Sequence, residues 1–206
     1  MMRFCLILPL VLAFVCGMVQ CSSDAQPAPI DLPMEQFQAG DIVFRRGESM
    51  ASRMVLYNDP EGQYSHVGMI VQDDSALMVV HALPGSHPTQ SGEDLVRMET
   101  LGEFFAPENA TRGKVMRLPL SELQKRELSR RAVEKVKTFV AFDHNYDCQD
   151  TVEIYCTELL QLLYSHVGID LSEGRLTRIS IPGLHADIIM PADIHKNQQL
   201  QTIFGF

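Results

Sequence analysis

Nucleophilic catalysis by a thiol requires a cysteine and polar partners such as histidine, and the sequence offers Cys156, His66 and His81. Cys156 stands at the start of a helical pattern, CTELLQLLYSHV. The unpaired N–H groups in the first turn of a helix favour negative charge, so this position predicts a thiol pKa below the usual value of about 8.5. A cysteine nucleophile also needs a base that takes its proton and a third polar group that orients the base.

The tetrapeptide SHVG occurs at 65–68 and again at 165–168, and each copy offers a histidine as the base. His166 follows Cys156 by ten residues on the same predicted helix, which places it about 15 Å along the axis and on another side. His66 begins an apolar run after the polar loop NDPEGQYS, where its side chain can face a cleft. We therefore expect His66 to be catalytic and His166 to be structural.

His81 lies in an otherwise apolar run, ALMVVHA, where a polar side chain needs a partner. If residues 67–71 and 76–82 form a hairpin, His81 comes to lie beside His66 and can orient it. The alternative for His81 is a core histidine bonded to backbone. For Cys156 the alternative is a small buried apolar residue, as most free cysteines are.

The rest of the sequence predicts strands first and helices later. Apolar runs of strand length occupy 40–45, 67–71, 76–82 and 114–118. A helix then begins at a capping box formed by Ser121 and Gln124, and its apolar face consists of Leu128, Ala132, Val136 and Val140. The second helix runs from about Tyr155 to Gly168. This order predicts an α+β domain with an antiparallel sheet packed against helices.

The N-terminal segment has the features of an export signal. Residues 1–21 combine a basic start at Arg3 with a short apolar run, and residues 22–35 are polar and proline-rich. We predict a signal peptide over 1–21, a flexible tether over 22–35 and one domain over 36–206. Cys21 resembles the acylated cysteine of bacterial lipoproteins, and ordinary cleavage after Ala25 is the alternative.

Composition excludes several classes of partner. The chain carries 26 acidic and 17 basic residues, a net charge of −9, so nucleic acid is not an expected partner. Membrane contact is expected only through a lipid on Cys21. The sequence contains neither C-x-x-C nor H-E-x-x-H, so we expect no metal and no cofactor. A metal site drawn from His66, His81 and Cys156, with His144 or Cys148, is the alternative. A Cys148–Cys156 disulfide would count against both the enzyme and the metal site.

Four motifs in order resemble the YiiX-like branch of the permuted NlpC-type, papain-like amidases: GDIVF (40–44), YSHVGMIV (64–71), VVHA (79–82) and YCTEL (155–159). The resemblance covers roughly residues 36–195 and implies a circularly permuted papain-like fold. In that branch the histidine strand precedes the cysteine helix. PADI, at 191–194, is similar to a family element that lies over the cleft.

The resemblance implies an exported cysteine amidase of the bacterial envelope. It assigns Cys156 as nucleophile, His66 as general base and His81 as the third polar residue, and it makes Tyr146 and Tyr155 candidates for binding the oxyanion or substrate. The expected substrate is a small peptide, an acylated amino acid or a lipid, cleaved at an amide bond through a thioester.

Two departures from the family pattern favour a second hypothesis. His81 stands where many relatives have Glu, and Phe142 stands where the family usually has Tyr. A neutral histidine stabilises an imidazolium less than a carboxylate does, and Phe142 has no hydroxyl to donate to an oxyanion. The alternative is therefore a non-catalytic envelope module that binds a lipid or peptide on the same fold.

Overall fold

The computed structural model describes residues 29–59, 61–84, 94–144, 146, 153–181 and 184–206. The predicted signal peptide, Cys21 and Cys148 lie outside these residues. Within the part described, Leu32 packs against the domain and a short 3₁₀ helix spans Met34–Gln36, so the C-terminal part of the predicted tether contacts the domain. Over the same residues, no helix combines the length and the apolar character needed to cross a bilayer.

The domain contains eight strands and five α-helices in the described residues. The strands are β1 (Asp41–Arg46), β2 (His66–Asp73), β3 (Ala76–Ala82), β4 (Val96–Thr100), β5 (Arg112–Arg117), β6 (Thr177–Ile181), β7 (Leu184–Ile188) and β8 (Gln201–Gly205). The helices are α1 (Met50–Asn58), α2 (Leu101–Phe104), α3 (Glu122–Lys137), α4 (Cys156–Ser165) and α5 (Pro191–His195). The four predicted strands correspond to β1, β2, β3 and β5.

Six of the strands form one antiparallel sheet in the order β4-β3-β2-β1-β5-β8, and β6 pairs with β7 alone. The predicted hairpin is present: β2 and β3 pair with Met69 opposite Val80. Strands β4 and β8, which we did not predict, form the two edges of the sheet. The architecture is the predicted α+β class with a large antiparallel sheet.

Side-chain alternation along the strands builds a separate apolar cluster on each face of the sheet. Along β2, Val67 and Met69 join the larger cluster, which includes apolar residues of α3 and α4, whereas Ile70 joins the smaller one, which includes Leu101 and Phe104 of α2. Helix α4 contributes to the larger cluster four fully or nearly fully buried side chains: Leu159, Leu160, Leu163 and Tyr164. This packing fixes the helix that begins at Cys156 against β2.

Helix α3 begins as predicted and ends earlier than predicted. Ser121 and Gln124 form the reciprocal capping box, and Leu128 and Ala132 are buried on its apolar face. Val140, which we placed on the same face, lies beyond the helix. The helix stops because Thr138 caps it and Phe139 takes a positive φ of 54°, which turns the chain away.

Candidate active site

Cys156 is the first residue of α4, and the segment before it is held to the rest of the domain. Tyr155, the N-cap, has extended backbone, and the Ile154 amide donates to the Ala141 carbonyl at 2.9 Å. Ile154 is fully buried and Tyr155 nearly so. The thiol therefore projects from a fixed helix start, as its position in the sequence predicts.

The Cys156 thiol lies among backbone amides and next to the His66 segment. The backbone amides of Val67, Thr157 and Cys156 itself act to lower the pKa of this thiol. Burial nevertheless raises the pKa of Cys156 to about 11, and these amides and the Arg45 charge only partly oppose this effect. Our prediction of a lowered thiol pKa is wrong for the resting protein, because loss of solvation outweighs the helix terminus. Cys156 is a free thiol, and its candidate disulfide partner Cys148 lies outside the described residues.

His66 and His81 form a direct contact across β2 and β3. Nε2 of His66 lies 2.8 Å from Nδ1 of His81, with the two rings nearly perpendicular. The strands approach closely here because Gly68 has no side chain: a Cβ at this position would lie 2.8 Å from Cγ1 of Val79 and 3.2 Å from Cβ of His81. Since Nε2 of His66 is engaged, Nδ1 is the ring nitrogen left for chemistry.

His81 in turn contacts a carboxylate on β4 that sequence reasoning missed. Its Nε2 lies 3.0 Å from Oε1 of Glu99. The same oxygen lies 3.4 Å from an N–H of Arg45, whose guanidinium also donates to the Phe104 carbonyl at 2.8 Å and stacks on the Phe104 ring. Arg45, the second-last residue of β1, is 4% exposed, and a buried guanidinium needs a partner of this kind.

Both histidines are neutral in the resting protein at pH 7. Burial, followed by the charges of Arg45, His81 and Arg97, holds the pKa of His66 well below its ordinary value. Burial also lowers the pKa of His81 to about 4, although the hydrogen bond and charge of Glu99 oppose this. A neutral His66 beside a protonated thiol is the state from which a general base acts.

Cys156 and His66 both line a cavity of about 480 Å³. Apolar side chains and carboxylates both line the cavity. The apolar residues are Met50, Ala51, Val55, Ala82, Leu83, Pro84 and Phe142, and the carboxylates belong to Glu48, Asp94 and Glu108. His144, exposed at its side chain, pairs with Asp94 at 3.2 Å.

Tyr146 and Tyr155 both line this cavity, but their hydroxyls have different surroundings. The Tyr155 ring is buried and its hydroxyl accepts a hydrogen bond from the Ile189 amide at 3.3 Å. Burial and the nearby Cys156 raise the pKa of Tyr146, which therefore keeps its proton. Tyr146 also holds a positive φ of 54°, a backbone conformation that is uncommon for a residue with a side chain.

Two sequence features are not among the described residues that line the cavity. His166 caps the C-terminal end of α4, where Nδ1 contacts the Leu162 carbonyl at 2.7 Å. The PADI segment forms α5, whose Ala192 amide donates to the buried Asp59 carboxylate at 3.2 Å. That PADI covers the cleft stays a prediction.

The described residues also bear on the alternative of a metal site. No group of three or more His, Cys, Asp or Glu side chains among them is arranged to hold a metal ion. His66 and His81 instead use facing ring nitrogens to contact each other. That contact occupies Nε2 of His66 and Nδ1 of His81, so neither of these two nitrogens faces a metal ion.

Comparisons with known proteins give a consistent assignment. The structure resembles the crystal structure described as metalloprotein yiiX from Escherichia coli O157:H7, with a TM-score of 0.67 and 21% identity over 82% of this chain and 97% of that one. The chain therefore shares the fold of that structure, and the family match given below identifies this fold as the permuted papain-like one. A comparison with curated proteins finds no match. The model of the permuted papain-like amidase enzymes, YaeF/YiiX, C92 family, matches residues 36–204. Because that match spans most of the chain, the protein belongs to the permuted papain-like amidase family.

Proposed function

We propose that the protein hydrolyses an amide bond with Cys156 as nucleophile, His66 as general base and His81 as the residue that orients His66. The observation that carries this proposal is the 2.8 Å contact between Nε2 of His66 and Nδ1 of His81, which leaves Nδ1 of His66 free. Nδ1 is the ring nitrogen nearer the backbone, and the thiol contacts the amide of the next residue, Val67.

The first half of the reaction forms a thioester. Nδ1 of His66 takes the thiol proton as Sγ attacks the amide carbon, and the carbonyl π electrons move onto oxygen. The Cys156 amide and the Tyr146 hydroxyl are the nearby donors for this oxyanion. When the intermediate collapses, the C–N bond breaks and His66 gives its proton to the departing amine.

The second half restores the enzyme. His66 takes a proton from water as the water oxygen attacks the thioester carbon, and the C–S bond then breaks. The sulfur leaves with the proton that His66 returns, and the carboxylic acid product departs. Because His66 and Cys156 are both neutral at rest, each attack is coupled to proton transfer rather than started from a preformed thiolate.

The cavity supports a substrate with an apolar part. The apolar lining residues can hold an aliphatic chain, whereas the carboxylates that also line the cavity favour an uncharged or amine-bearing group over an acidic one. We propose an acylated amino acid or lipid amide as substrate, with a small wall peptide as the alternative.

The test is hydrolysis of two probes, N-dodecanoyl-L-alanine amide and a γ-D-glutamyl-diaminopimelate peptide. We expect amine release from the first, together with an acyl-enzyme adduct on the Cys156 peptide in acid-quenched samples. Cys156→Ser should abolish the adduct, and His66→Ala should lower kcat by about 10²–10⁴-fold, the usual contribution of a general base.

His166→Ala is the matched control, because it removes the exposed histidine from the other SHVG copy. It should leave kcat within about twofold. Turnover that persists in Cys156→Ser, or equal losses in the two histidine variants, would refute the proposed mechanism.

A non-catalytic binding module on this fold is the second candidate function. The raised pKa of Cys156 and the presence of Phe142 instead of a hydroxyl-bearing residue favour it. It predicts saturable binding of N-dodecanoyl-L-alanine amide by calorimetry with no amine release and no adduct.

We also propose that the protein is exported to the bacterial envelope. The support is the short apolar run and basic start of residues 1–21 and the position of Cys21. Intact mass of the mature protein from membrane and soluble fractions checks this, since acylation and ordinary cleavage give different N-termini.

A further inference from the structure

A line of hydrogen-bonding groups crosses three neighbouring strands and ends at a carboxylate. His66 on β2 contacts His81 on β3 at 2.8 Å, and His81 contacts Glu99 on β4 at 3.0 Å. Both histidines are almost fully inaccessible to solvent, with exposures of 4% and 0%. Each of their ring protons therefore has to match a neighbour in the protein.

Two neighbours of His81 demand opposite tautomers. Its Nε2 lies 3.0 Å from the Glu99 carboxylate and 3.3 Å from Nε of Arg97. A carboxylate accepts only and a guanidinium donates only, so Nε2 carries a proton in the first case and a lone pair in the second. The choice is transmitted to His66 through the 2.8 Å contact.

Only one of the two choices leaves a working base. If Nε2–H of His81 donates to Glu99, Nδ1 of His81 accepts the Nε2 proton of His66, and Nδ1 of His66 keeps its lone pair. If Arg97 donates to His81 instead, the chain reverses and Nδ1 of His66 carries the proton. A protonated Nδ1 in a neutral ring cannot take the proton of the thiol.

The surroundings of Glu99 keep it ionised and in position. Burial acts to raise its pKa, but the hydrogen bond of His81 and the charges of Arg45 and Arg97 bring the pKa below its ordinary value. Arg45 is anchored on Phe104 and contacts Oε1, while Arg97 lies 3.8 Å from Oε2. Two guanidinium groups thus hold the carboxylate that faces His81.

We propose that Glu99 is a positioning residue that sets the tautomer of His81 and, through it, directs the lone pair of His66 toward Cys156. The proposal rests on the proposed role of His66 as general base. Glu99 also supplies the negative charge that a neutral His81 lacks. When His66 takes up a proton during the reaction, Glu99 stabilises the imidazolium through His81.

The test is Glu99→Gln in the full chain. We expect the imidazole ¹⁵N shifts of His66 and His81 to change from Nε2-protonated in the wild type toward Nδ1-protonated in the variant. With N-dodecanoyl-L-alanine amide, kcat/KM should fall by about 10- to 100-fold. This is the usual loss when a residue that orients a functional side chain is replaced. The acidic limb of its pH profile should move to lower pH, because the lost negative charge makes protonation of the histidine pair harder.

Three further variants test whether the loss of any acidic charge has the same effect, whether Arg97 is the competing donor, and whether the charge at position 99 is what matters. Glu134→Gln removes the same charge from a surface pair on α3 and should leave tautomers and profile unchanged. Arg97→Met removes the rival donor and should keep the wild-type tautomers. Glu99→Asp keeps the charge and should recover part of the lost rate.

The outcomes also separate this proposal from the proposed function. Wild-type histidines protonated on Nδ1, or an active Glu99→Gln variant with unchanged tautomers and pH profile, would overturn the role of Glu99. If the wild type shows the expected tautomers, which reverse in Glu99→Gln, but releases no amine from either probe, the positioning role stands and the amidase function fails.

Discussion

Cys156 combines a helix start that favours a thiolate with a burial that opposes it, and the pKa of about 11 indicates that burial dominates. We therefore expect the rate of Cys156 alkylation by iodoacetamide to be low at pH 7 and to rise through pH 9 and beyond. Peptide mass spectrometry separates Cys156 from Cys148, and the urea-unfolded chain, titrating near 8.5, is the control. A fast rate that stays constant below pH 7 would show a preformed thiolate and contradict this expectation.

At this scale the sequence predicted the groups that we propose to react, and it did not predict Glu99, which contacts His81. Cys156, His66 and His81 each stand out by a local pattern: a helix start, a strand start and a polar residue in an apolar run. Glu99 has no such signal, because its role depends on a strand pairing between β3 and β4 that the weak pattern VRMET does not indicate. The predicted pKa of the thiol was wrong because burial depends on the folded chain, whereas the position of a residue in a helix can be predicted from the nearby sequence.

At the scale of elements, the spacing of β2 and β3 controls the histidine pair. Gly68→Ala would place a Cβ 2.8 Å from Cγ1 of Val79, a fully buried and branched side chain with little room to turn. We expect the free energy of unfolding to fall by about 1–3 kcal/mol, as for other overpacked cores, and kcat to fall more than KM changes, because His81 shifts from His66.

Urea unfolding and steady-state kinetics measure both effects. Gly102→Ala on α2 is the matched control, because its Cβ would meet only Oγ1 of Thr100 at 3.9 Å, and it should unfold within about 0.5 kcal/mol of the wild type. A fully stable Gly68→Ala variant with normal kcat would contradict the role of this glycine.

The elements that sequence reasoning found are those with strong periodicity or capping. The β2–β3 hairpin and the start of α3 have such signals, and the structure confirms them. Edge strands β4 and β8 are five residues each, and short edges carry little pattern. The end of α3 was misjudged because Val140 continues the four-residue spacing after Phe139 has already left helical geometry.

At the scale of the whole molecule, the buried histidines make stability depend on pH. His81 has a folded pKa of about 4 against an ordinary value of 6.5, so between these values the unfolded chain binds more protons. The free energy of unfolding should therefore fall as pH is lowered from 6.5 to 4, by about 3 kcal/mol from His81 alone. His66, whose pKa is also lowered, acts in the same direction.

Urea unfolding at pH 7, 6, 5 and 4 measures this dependence. His81→Gln cannot titrate and should flatten the slope between pH 6.5 and 4, although its stability at pH 7 is lower because it changes a buried contact. If the free energy of unfolding of His81→Gln fell with pH as steeply as that of the wild type, His81 would not be the source of the pH dependence. The exposed His166→Gln is the matched control.

The half-buried, protonated thiol of Cys156 also affects how well the protein resists oxidation. Oxidation of cysteine by peroxide proceeds through the thiolate, and a pKa of about 11 leaves roughly one molecule in ten thousand in that form at pH 7. A resting protein with a permanent thiolate would lose its nucleophile steadily to sulfenic and sulfinic acids. Cys156, deprotonated only while a carbonyl is in place to be attacked, would survive long intervals between substrates.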